Sequence, residues 1–420
     1  MYKDLSDQVN QLSAINSKNY FLLFILWPFL AFITALTNYS QKEARKVVYI
    51  FLIYYGLTFV IKGDIFFDAL GYAVKLRNNA ALPFSDFFKI VGGMYATDTS
   101  IDIIEPLVSF IVSRFTSHHG LYFAAWAAIF GFFYLKSIDR VYERYQANPG
   151  WNTVIFFILF IVILPITTIN SVRMWTAAWI FFYGAYHVIL YRDPRYIILT
   201  LGSTLVHWSF ISANAILLIY FLAGNRNYIY LPLALISFVL PNLIAPFFKT
   251  VSLKMGGAFQ GRFDMYSNQY YVLERQEALA QSAWFLKLGE DLLFYYLIAA
   301  IIFVQFRFKN LSKADPERNL YSFLLLFLAF VNFGKAIPSF GGRFQILFFL
   351  FATLYVFIYY LKLPDKKLTV LPFIGLFPMA LYTAVKFREG ADSISAWIFA
   401  PGFGLPLFTP AFSLADLFFY

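Results

Sequence analysis

Cysteine is absent from this 420-residue chain, and histidine and charged residues are few. Without cysteine the protein has no disulfide, no thiolate nucleophile and no zinc–thiolate site. Charged residues make up 13% of the chain, about half of what a soluble domain of this length carries. Of the four histidines, His118 and His119 are adjacent, so on a helix they diverge and make a poor metal pair. We therefore predict a mechanism without a metal ion or cofactor.

Common nucleotide and hydrolase motifs are also missing. No GxxxxGK[ST], GxGxxG, HExxH, GxSxG or EF-hand pattern stands out, so ATP-driven transport by this chain has no support. The net charge of +10 could indicate nucleic acid, but the basic residues lie in short loops, as membrane topology places them. We expect no nucleic-acid partner.

Long apolar runs dominate what is present, since 60% of the residues are hydrophobic and 53 are phenylalanine. A helix that crosses ~30 Å of hydrocarbon needs about 20 apolar residues. We predict an all-α polytopic membrane protein, a single integral-membrane domain over residues 1–420 with about 11–12 transmembrane helices. The predicted spans are 20–37, 46–61, 120–137, 153–170, 172–191, 196–211, 212–223, 228–247, 288–306, 320–337, 343–361 and 369–386.

Two stretches depart from this simple pattern. Residues 104–117 are short for a span and contain Arg114, so we predict a re-entrant or interfacial helix there. Residues 196–223 form either one long bent helix or two short helices that meet near Ser212. Residues 1–19 are polar, so we expect no cleavable signal peptide and an uncleaved first span.

The lysines and arginines predict the orientation of the spans. About half of the 33 fall in six short loops, which the positive-inside bias places in the cytoplasm. Both termini then lie outside, together with two long loops, 62–119 and 248–287, and an apolar tail, 387–420. Loops of that length are typical of binding or catalytic segments. The six basic loops are 38–46, 136–150, 191–195, 224–227, 307–319 and 362–368.

Arg173 and His207 interrupt apolar runs and reach the outer side in this topology. An ionisable group near the middle of a bilayer costs on the order of 3 kcal/mol, so it usually marks a functional cavity. Arg173 has a permanently charged guanidinium that can bind phosphate or carboxylate through two N–H groups. The alternative interpretation is that Arg173 only extends its charged end to the membrane interface. His207 is either a hydrogen-bonded packing residue or a group that exchanges protons near neutral pH.

A second basic feature is the segment KAIPSFGGR, which predicts a tight outer turn between two spans. Its glycines allow the backbone to approach a ligand closely, and Arg343 projects from the start of the next helix. A helix N-terminus favours anions independently of side chains. The positive-inside bias disfavours an arginine on the outer side unless it has a function there. We therefore favour anion binding by Arg343 over a role in membrane orientation alone.

Acidic and aromatic residues of the outer loops are candidates for contacts with sugar. Asp64 and Glu105 adjoin apolar spans, and a carboxylate there can bind a sugar hydroxyl or remove its proton. Asp68 lies four residues after Asp64, so the two share a face if the segment is helical. We predict Asp68 and Tyr72 as sugar-binding residues.

The second long loop contains a further cluster in the segment GAFQGRFDMY and just beyond it. Aromatic faces with hydrogen-bonding tips suit sugars, so Tyr266 and Tyr270 are candidate sugar-binding residues, although tyrosines also form interface belts. Arg262 in the same segment is a third candidate for binding an anion.

These elements, in this order, resemble the EpsG-like branch of the Wzy-type polysaccharide polymerases. The resemblance covers residues 45–360, and Arg173 with His207 is its most specific part. The segment DIFFDALGY stands where the family pattern has a run of tyrosines. The matching elements are Asp64, Asp68 and Tyr72, Glu105 to Leu107, NSVRMWTAAWIFF, RDPR, His207 to Ser209 and GGRFQILFF.

The resemblance implies a polymerase with a glycosyltransferase C-like helical fold at the outer face of a bacterial inner membrane. Such an enzyme joins repeat units of an O-antigen or exopolysaccharide that are carried on a polyprenyl diphosphate. Its partners would be the lipid-linked glycan donor and acceptor, membrane lipid and a chain-length-regulating copolymerase.

The implied chemistry assigns roles to the candidate residues. A glycan that leaves a lipid diphosphate creates negative charge, and stabilising that charge is the main catalytic task. The acceptor hydroxyl needs a base, for which we favour His207 and place Asp64 or Glu105 second. Three arginines are candidates to bind the diphosphate: Arg173, Arg343 and Arg262.

Two other classes remain open. The same arginines would serve a multipass transporter or flippase for an anionic solute or a lipid-linked glycan. The sequence of such a transporter would show two repeats with interrupted helices at matching positions. This sequence has one such break, near residue 211. A lipid-linked-glycan ligase uses the same carrier chemistry as a polymerase and has the same sequence requirements.

Overall fold

Helices make up the regular secondary structure in the part of the chain that the computed structural model describes. That part consists of residues 17–62, 67–86, 88–89, 102–147, 150–240, 284–307, 316–335, 338–362 and 370–418, with single residues at 250, 254 and 273. Within these ranges one isolated antiparallel bridge joins Ser395 to Ser413. The predicted all-α fold is confirmed.

The N-terminal helices are short or of medium length. α1 ends and α2 begins around the Trp27–Pro28 step, because proline has no N–H to continue a helix but fits its first turn. These helices are α1 (Ser17–Leu26), α2 (Pro28–Thr37), α3 (Lys42–Leu57), α4 (Phe67–Ala80) and α5 (Ile104–Ser113).

The next ten described helices include the longest ones, with up to 29 residues. They are α6 (His119–Ala147), α7 (Trp151–Ile163), α8 (Val172–Tyr191), α9 (Arg195–Val206), α10 (Phe210–Ala223), α11 (Asn227–Val239), α12 (Trp284–Arg307), α13 (Pro316–Gly334), α14 (Pro338–Lys362) and α15 (Val370–Ala391). The shortest elements are the 3-10 helices Ile166–Ser171 and Ala396–Phe399, α16 (Leu405–Phe408) and α17 (Leu414–Phe418).

Five helical stretches of the described residues are long and apolar enough to cross a membrane. They are His119–Gln146, Trp151–Tyr191, Trp284–Arg307, Phe340–Lys362 and Val370–Ala391. Shorter apolar helices of 10–17 residues accompany them, including α2, α5 and α9 to α11. The chain is therefore a multi-pass membrane protein, whereas the larger predicted number of crossings stays a prediction.

Helix α14 lies at the centre of the bundle. The most apolar 18 residues of this helix are 94% buried inside the protein. The helix packs on α7, α12 and α13. The ring of Phe351 lies 4.7 Å from that of Phe182 in α8 and 5.2 Å from that of Phe323 in α13. Much of the abundant phenylalanine therefore fills the core, where aromatic rings bury large apolar areas.

Two glycines allow helices to approach closely. A Cβ added at Gly56 of α3 would lie 2.5 Å from the carbonyl oxygen of Phe123 in α6. One added at Gly184 of α8 would lie 2.5 Å from Cγ2 of Thr200 in α9. Small residues at such contacts let helices pack in a bilayer, where lipid tails compete for apolar surface. The second contact holds the short helix α9 against α8.

The described residues of the six basic loops lie together at one end of the bundle. Side-chain contacts link one loop to the next, in one case through Phe221 in the last turn of α10, so their common position follows from the contacts themselves. This arrangement is what the charge distribution predicts, while the side of the membrane that this end faces stays a prediction. The links are Tyr39–Asp139 (2.9 Å), Arg144–Tyr191 (3.0 Å), Arg192–Phe221 (3.4 Å), Asn225–Asn319 (2.8 Å) and Lys362–Glu317 (2.7 Å).

Helices α4 and α5 lie side by side at the other end, near the start of α8. Lys75 of α4 pairs with Glu105 of α5, and the Arg114 guanidinium donates to the carbonyl of Leu82 over 2.6 Å. Residue 75 thus contacts residue 105, and residue 82 contacts residue 114. Since the residue numbers increase in the same direction along both segments, the two helices are parallel. α5 has 10 residues, about 15 Å, and is too short to cross a membrane, as predicted for 104–117.

The stretch 196–223 is two short helices, and the break lies at residues 207–209 instead of near Ser212. The backbone of His207 is extended, with φ −147° and ψ 114°. The backbone N–H of Ser209 donates to Nδ1 of His207 over 3.3 Å. A local side-chain bond of this kind competes with helical hydrogen bonding, which gives the break a physical cause.

The C-terminal tail packs on the N-terminal helices, and its Asp416 pairs with Lys62 at the start of the first long loop over 2.7 Å. α15 continues to Ala391, five residues beyond the predicted span end at 386. The N–H of Gly402 then donates to the carbonyl of Leu26 over 2.7 Å, and the Tyr54 hydroxyl donates to the carbonyl of Phe403 over 2.7 Å. Backbone groups left free at the α1–α2 break thus find partners in the tail.

Because the chain has no cysteine, a single introduced cysteine tests the two ends of the bundle. Phe408 is 89% exposed at the tail end, and Lys42 is exposed at the end with the basic loops. In intact cells a membrane-impermeant maleimide should label Phe408→Cys, whereas Lys42→Cys should react only after permeabilisation. The reversed pattern would contradict the predicted orientation.

Candidate functional site

Arg173 lies in the first turn of α8 and is held by two side chains. Its Nη1 lies 2.7 Å from Oδ2 of Asp102, and its Nε donates to the Tyr72 hydroxyl over 3.0 Å. The guanidinium carbon also lies 5.6 Å from the centre of the Tyr72 ring, within reach of a cation–π contact. The side chain of Arg173 keeps 27% of its surface exposed, so the paired cation still faces open space.

Asp102 joins Arg173 to the break between α9 and α10. Its Oδ1 accepts from the backbone N–H of Trp208 over 2.8 Å, and the N–H of Ile103 donates to the carbonyl of Leu205 over 3.0 Å. Asp102 is 2% exposed, and a buried carboxylate needs such partners because burial of an unpaired charge is costly. The start of α5 is therefore bound both to α8 and to the break.

His207 occupies this break and is buried. Its Nδ1 lies 2.7 Å from Oγ of Ser209, so this nitrogen is engaged within the break. Asn214 of α10 donates to the carbonyl of Thr200 in α9 over 2.8 Å and so ties the two half-helices together. His207 thus sits on irregular backbone that side chains on both flanking helices stabilise.

Glu105 of α5 is buried beside the Arg173 cluster and already has two partners. It forms an ion pair with Lys75, whose side chain is 38% exposed. Its Oε1 accepts from the Tyr122 hydroxyl over 3.2 Å, and the Tyr122 and Tyr72 rings lie 5.8 Å apart. Through the two tyrosines Glu105 adjoins the partners of Arg173.

Asp68 and Tyr72 share the start of α4. Asp68 is exposed, and its Oδ2 accepts from the Ser171 hydroxyl over 2.8 Å, directly before α8. Tyr72 is buried, and burial raises the pKa of its hydroxyl to about 12, so it keeps its proton at physiological pH. Since its oxygen accepts from Arg173, the Tyr72 proton remains available to another acceptor.

Arg343 lies in the second turn of α14, near the same break. The adjacent Phe344 packs its ring 5.4 Å from that of Phe210, the first residue of α10. Arg343 is partly exposed and makes no hydrogen bond or ion pair with any residue that the structure describes. Gly341 serves packing, because a Cβ there would lie 2.6 Å from Cα of Lys335.

Several helices begin at this cluster. α4 starts beside Asp68, α5 beside Asp102, α8 beside Arg173 and α10 directly after the break at His207. The N-terminal end of a helix carries partial positive charge and free N–H groups. These helix starts add positive potential to that of Arg173 and Lys75, next to the carboxylates of Asp68, Asp102 and Glu105.

The structure brings together five of the residues predicted from sequence and places a sixth nearby. The five are Arg173, His207, Glu105, Asp68 and Tyr72, and Arg343 lies on a helix that packs beside the break. The remaining predicted residues lie outside the described part of the chain. They are Asp64, Arg262, Tyr266 and Tyr270.

Sequence reasoning missed Asp102, Lys75 and Tyr122. The available signal for Asp102 was an acidic residue directly before a short apolar helix, which is also the pattern of an ordinary helix start. Its contacts with Arg173 and Trp208 join residues 71 and 106 positions apart, a separation that no local pattern reveals. Among the residues described, no three His, Asp or Glu side chains gather to hold a metal ion.

The fold and this cluster define a multi-pass helical membrane protein with a polar, arginine-centred site inside its bundle. The sequence profile of the EpsG family matches residues 84–398, and the chain belongs to that family. Membership supports a role like that of a polysaccharide polymerase. The match includes Arg173, His207 and Arg343, whereas Asp68 and Tyr72 precede it. No curated protein and no solved structure matches the chain.

Removing the Glu105 carboxylate should destabilise the protein. Glu105→Ala leaves the buried Tyr122 hydroxyl without its acceptor and Lys75 without its partner, at a cost of about 2 kcal/mol. Thermal unfolding of the purified protein in detergent measures the effect. Glu43→Ala, which breaks an exposed pair with Lys46, is the control and should change the unfolding temperature little. Equal shifts for both variants would contradict the structural role of Glu105.

Proposed function

We propose that the protein is a polysaccharide polymerase at the outer face of a bacterial inner membrane. It transfers oligosaccharide repeat units from a polyprenyl diphosphate carrier to a growing surface polysaccharide. The observation that carries this proposal is Arg173, a cation held inside the bundle by Asp102 and Tyr72 but still partly open to the surroundings. Family membership agrees with this class of reaction.

Arg173 is suited to bind the diphosphate of the carrier. An arginine has five N–H donors, and the contacts to Tyr72 and Asp102 engage only the Nε and Nη1 nitrogens. The other donors are free to form charge-assisted bonds to phosphate oxygens. The helix starts at the same place add positive potential, and Arg343 supplies a second cation with no partner among the described residues.

The proposed reaction is a displacement at the anomeric carbon of the donor sugar. A bond forms between the acceptor hydroxyl oxygen and that carbon, while the bond from that carbon to the diphosphate oxygen breaks. The electron pair of the broken bond stays with the lipid diphosphate, and the hydroxyl proton passes to a protein base. Arginines that already face the leaving oxygens stabilise this charge without reorganising during the step.

His207 is the favoured base, and Glu105 is second. The carboxylate of Glu105 is already bound to Lys75 and Tyr122, so fewer of its lone pairs are left to accept from a substrate hydroxyl. The Nδ1 of His207 is bonded to Ser209, an arrangement that orients the imidazole ring and its other nitrogen. Asp64, the further candidate, lies outside the described residues.

Sugar recognition is proposed for Asp68 and Tyr72, which line the start of α4 beside Arg173, with Tyr266 and Tyr270 from the second long loop. The Tyr72 proton and the exposed Asp68 carboxylate supply one donor and one acceptor for hydroxyl groups. A chain-length-regulating copolymerase is the proposed protein partner, and Arg262 is a third candidate diphosphate ligand.

A transporter or flippase for an anionic solute or lipid-linked glycan is the second candidate. The observation in its favour is the interrupted pair α9–α10, because broken helices line the binding sites of many transporters. Growth of the glycan on a gel, measured with purified protein and lipid-linked repeat units, supports the polymerase. Movement of the same lipid across a vesicle membrane without chain growth would support the transporter.

Replacement of Arg173 should remove polymerisation while leaving the protein inserted. Arg173→Ala should lower the yield of long-chain polymer about 100-fold or more, since it deletes the main donor to the leaving group. Arg173→Lys keeps the charge but loses the planar guanidinium that binds two oxygens at once, so it should retain only a small fraction of the activity. Glycan gels from cells that express each variant measure chain length.

Arg140→Ala is the matched control, because Arg140 lies at the basic end and pairs with Glu143 at the surface. It should leave chain length unchanged. Polymer of normal length from Arg173→Ala, at normal protein levels, would overturn the proposed function.

The identity of the base can be tested by neutral replacements of the two candidates. His207→Gln should abolish polymer growth because an amide cannot accept the proton. Glu105→Gln keeps the shape of the side chain and should reduce growth far less. Rates with purified variants and lipid-linked repeat units decide between them, and the opposite ranking would assign the base to Glu105.

A further inference from the structure

One buried carboxylate connects the two residues to which the proposed reaction gives the main roles. Oδ2 of Asp102 lies 2.7 Å from Nη1 of Arg173, and Oδ1 accepts from the backbone N–H of Trp208 over 2.8 Å. Trp208 directly follows His207 in the chain. The same side chain therefore contacts the guanidinium that faces the leaving group and the irregular backbone that carries the favoured base.

A backbone hydrogen bond from the residue after Asp102 makes a second connection to the same region. The N–H of Ile103 donates to the carbonyl of Leu205 in the last turn of α9 over 3.0 Å, so the two residues directly before α5 are bonded to the break and to the helix that leads into it. On the break itself, Ser209 fixes the ring of His207 and Asn214 holds α10 to α9. A shift of the Asp102 carboxylate would consequently change the distance between Arg173 and the break.

We propose that Asp102 is a positioning residue that sets the separation of Arg173 and His207. It takes no proton and contacts no substrate in this role, and it acts through the two groups that it holds. The inference rests on the proposed function and adds a residue that the sequence did not reveal. Reacting groups must be placed closely, since an error of about 1 Å can cost 100-fold in rate.

A simpler role for Asp102 would be to neutralise the buried charge of Arg173. The two roles differ in what a longer side chain does. Glutamate keeps the negative charge but moves the carboxylate outward by one methylene, so it cannot meet both Arg173 and the Trp208 N–H from the same backbone position. Asparagine keeps the shape and an acceptor for Trp208, but its amide cannot form the ion pair.

The test compares Asp102→Asn and Asp102→Glu in the purified full-length protein. The probe is the lipid-linked repeat unit isolated from cells that lack this protein, and the readouts are kcat, KM for the probe and the unfolding temperature. We expect kcat to fall about 10- to 100-fold in both variants, with KM changed less than about threefold. The unfolding temperature of Asp102→Glu should stay close to that of the wild type, whereas that of Asp102→Asn should fall because Arg173 loses its counter-ion. Asp86→Asn, which removes a carboxylate from a surface pair with Lys89, should retain the wild-type kcat.

Each other outcome overturns the proposal. Wild-type kcat in Asp102→Glu, together with a loss in Asp102→Asn, would assign Asp102 to charge balance alone. A lower unfolding temperature with unchanged kcat in both variants would assign it to stability. These results differ from a failure of the proposed function, in which the wild type would not extend the probe or Arg173→Ala would extend it normally.

Discussion

The rest of the site depends on one ion pair, between Arg173 and Asp102, inside an apolar bundle. Taking either charge out of water alone would cost several kcal/mol, about the whole stability margin of many proteins. Direct contact at 2.7 Å and further hydrogen bonds to Tyr72 and Trp208 offset this cost. As a result α4, α5, α8 and the α9–α10 break meet at one place. The pair thus explains both why these elements are together and why a cation can stay at this position.

Both ends of the bundle pair positive charges with carboxylates. At the end with the basic loops, Arg140 pairs with Glu143 and Lys362 with the buried Glu317, while Arg144 donates to the hydroxyls of Tyr186 and Tyr191. At the other end, buried carboxylates such as Asp102 and Glu105 balance the cations, and helix starts add positive potential. An anionic ligand therefore finds pre-arranged donors at this second end.

The region that matches the family carries most of the site, while α4 with Asp68 and Tyr72 precedes it. Arg173, His207 and Arg343 lie within residues 84–398, which match the EpsG family. The helices α1 to α3 precede this region, and part of the tail that follows it packs on α1 and α3 through Gly402 and Phe403. The first and last described parts of the chain therefore pack on each other, and α3 also packs closely on α6 at Gly56.

The sequence alone determined the helical class, most helix positions and the common end of the basic loops, because the length and charge of apolar runs control these features. It also singled out Arg173, His207 and Glu105, since ionisable residues are rare in apolar runs and stand out. Only the tertiary structure decided that Asp102 holds Arg173, that the break lies at 207–209, and that α4 and α5 run in parallel. Those features depend on contacts between residues far apart in the chain, and neither periodicity nor composition records such contacts.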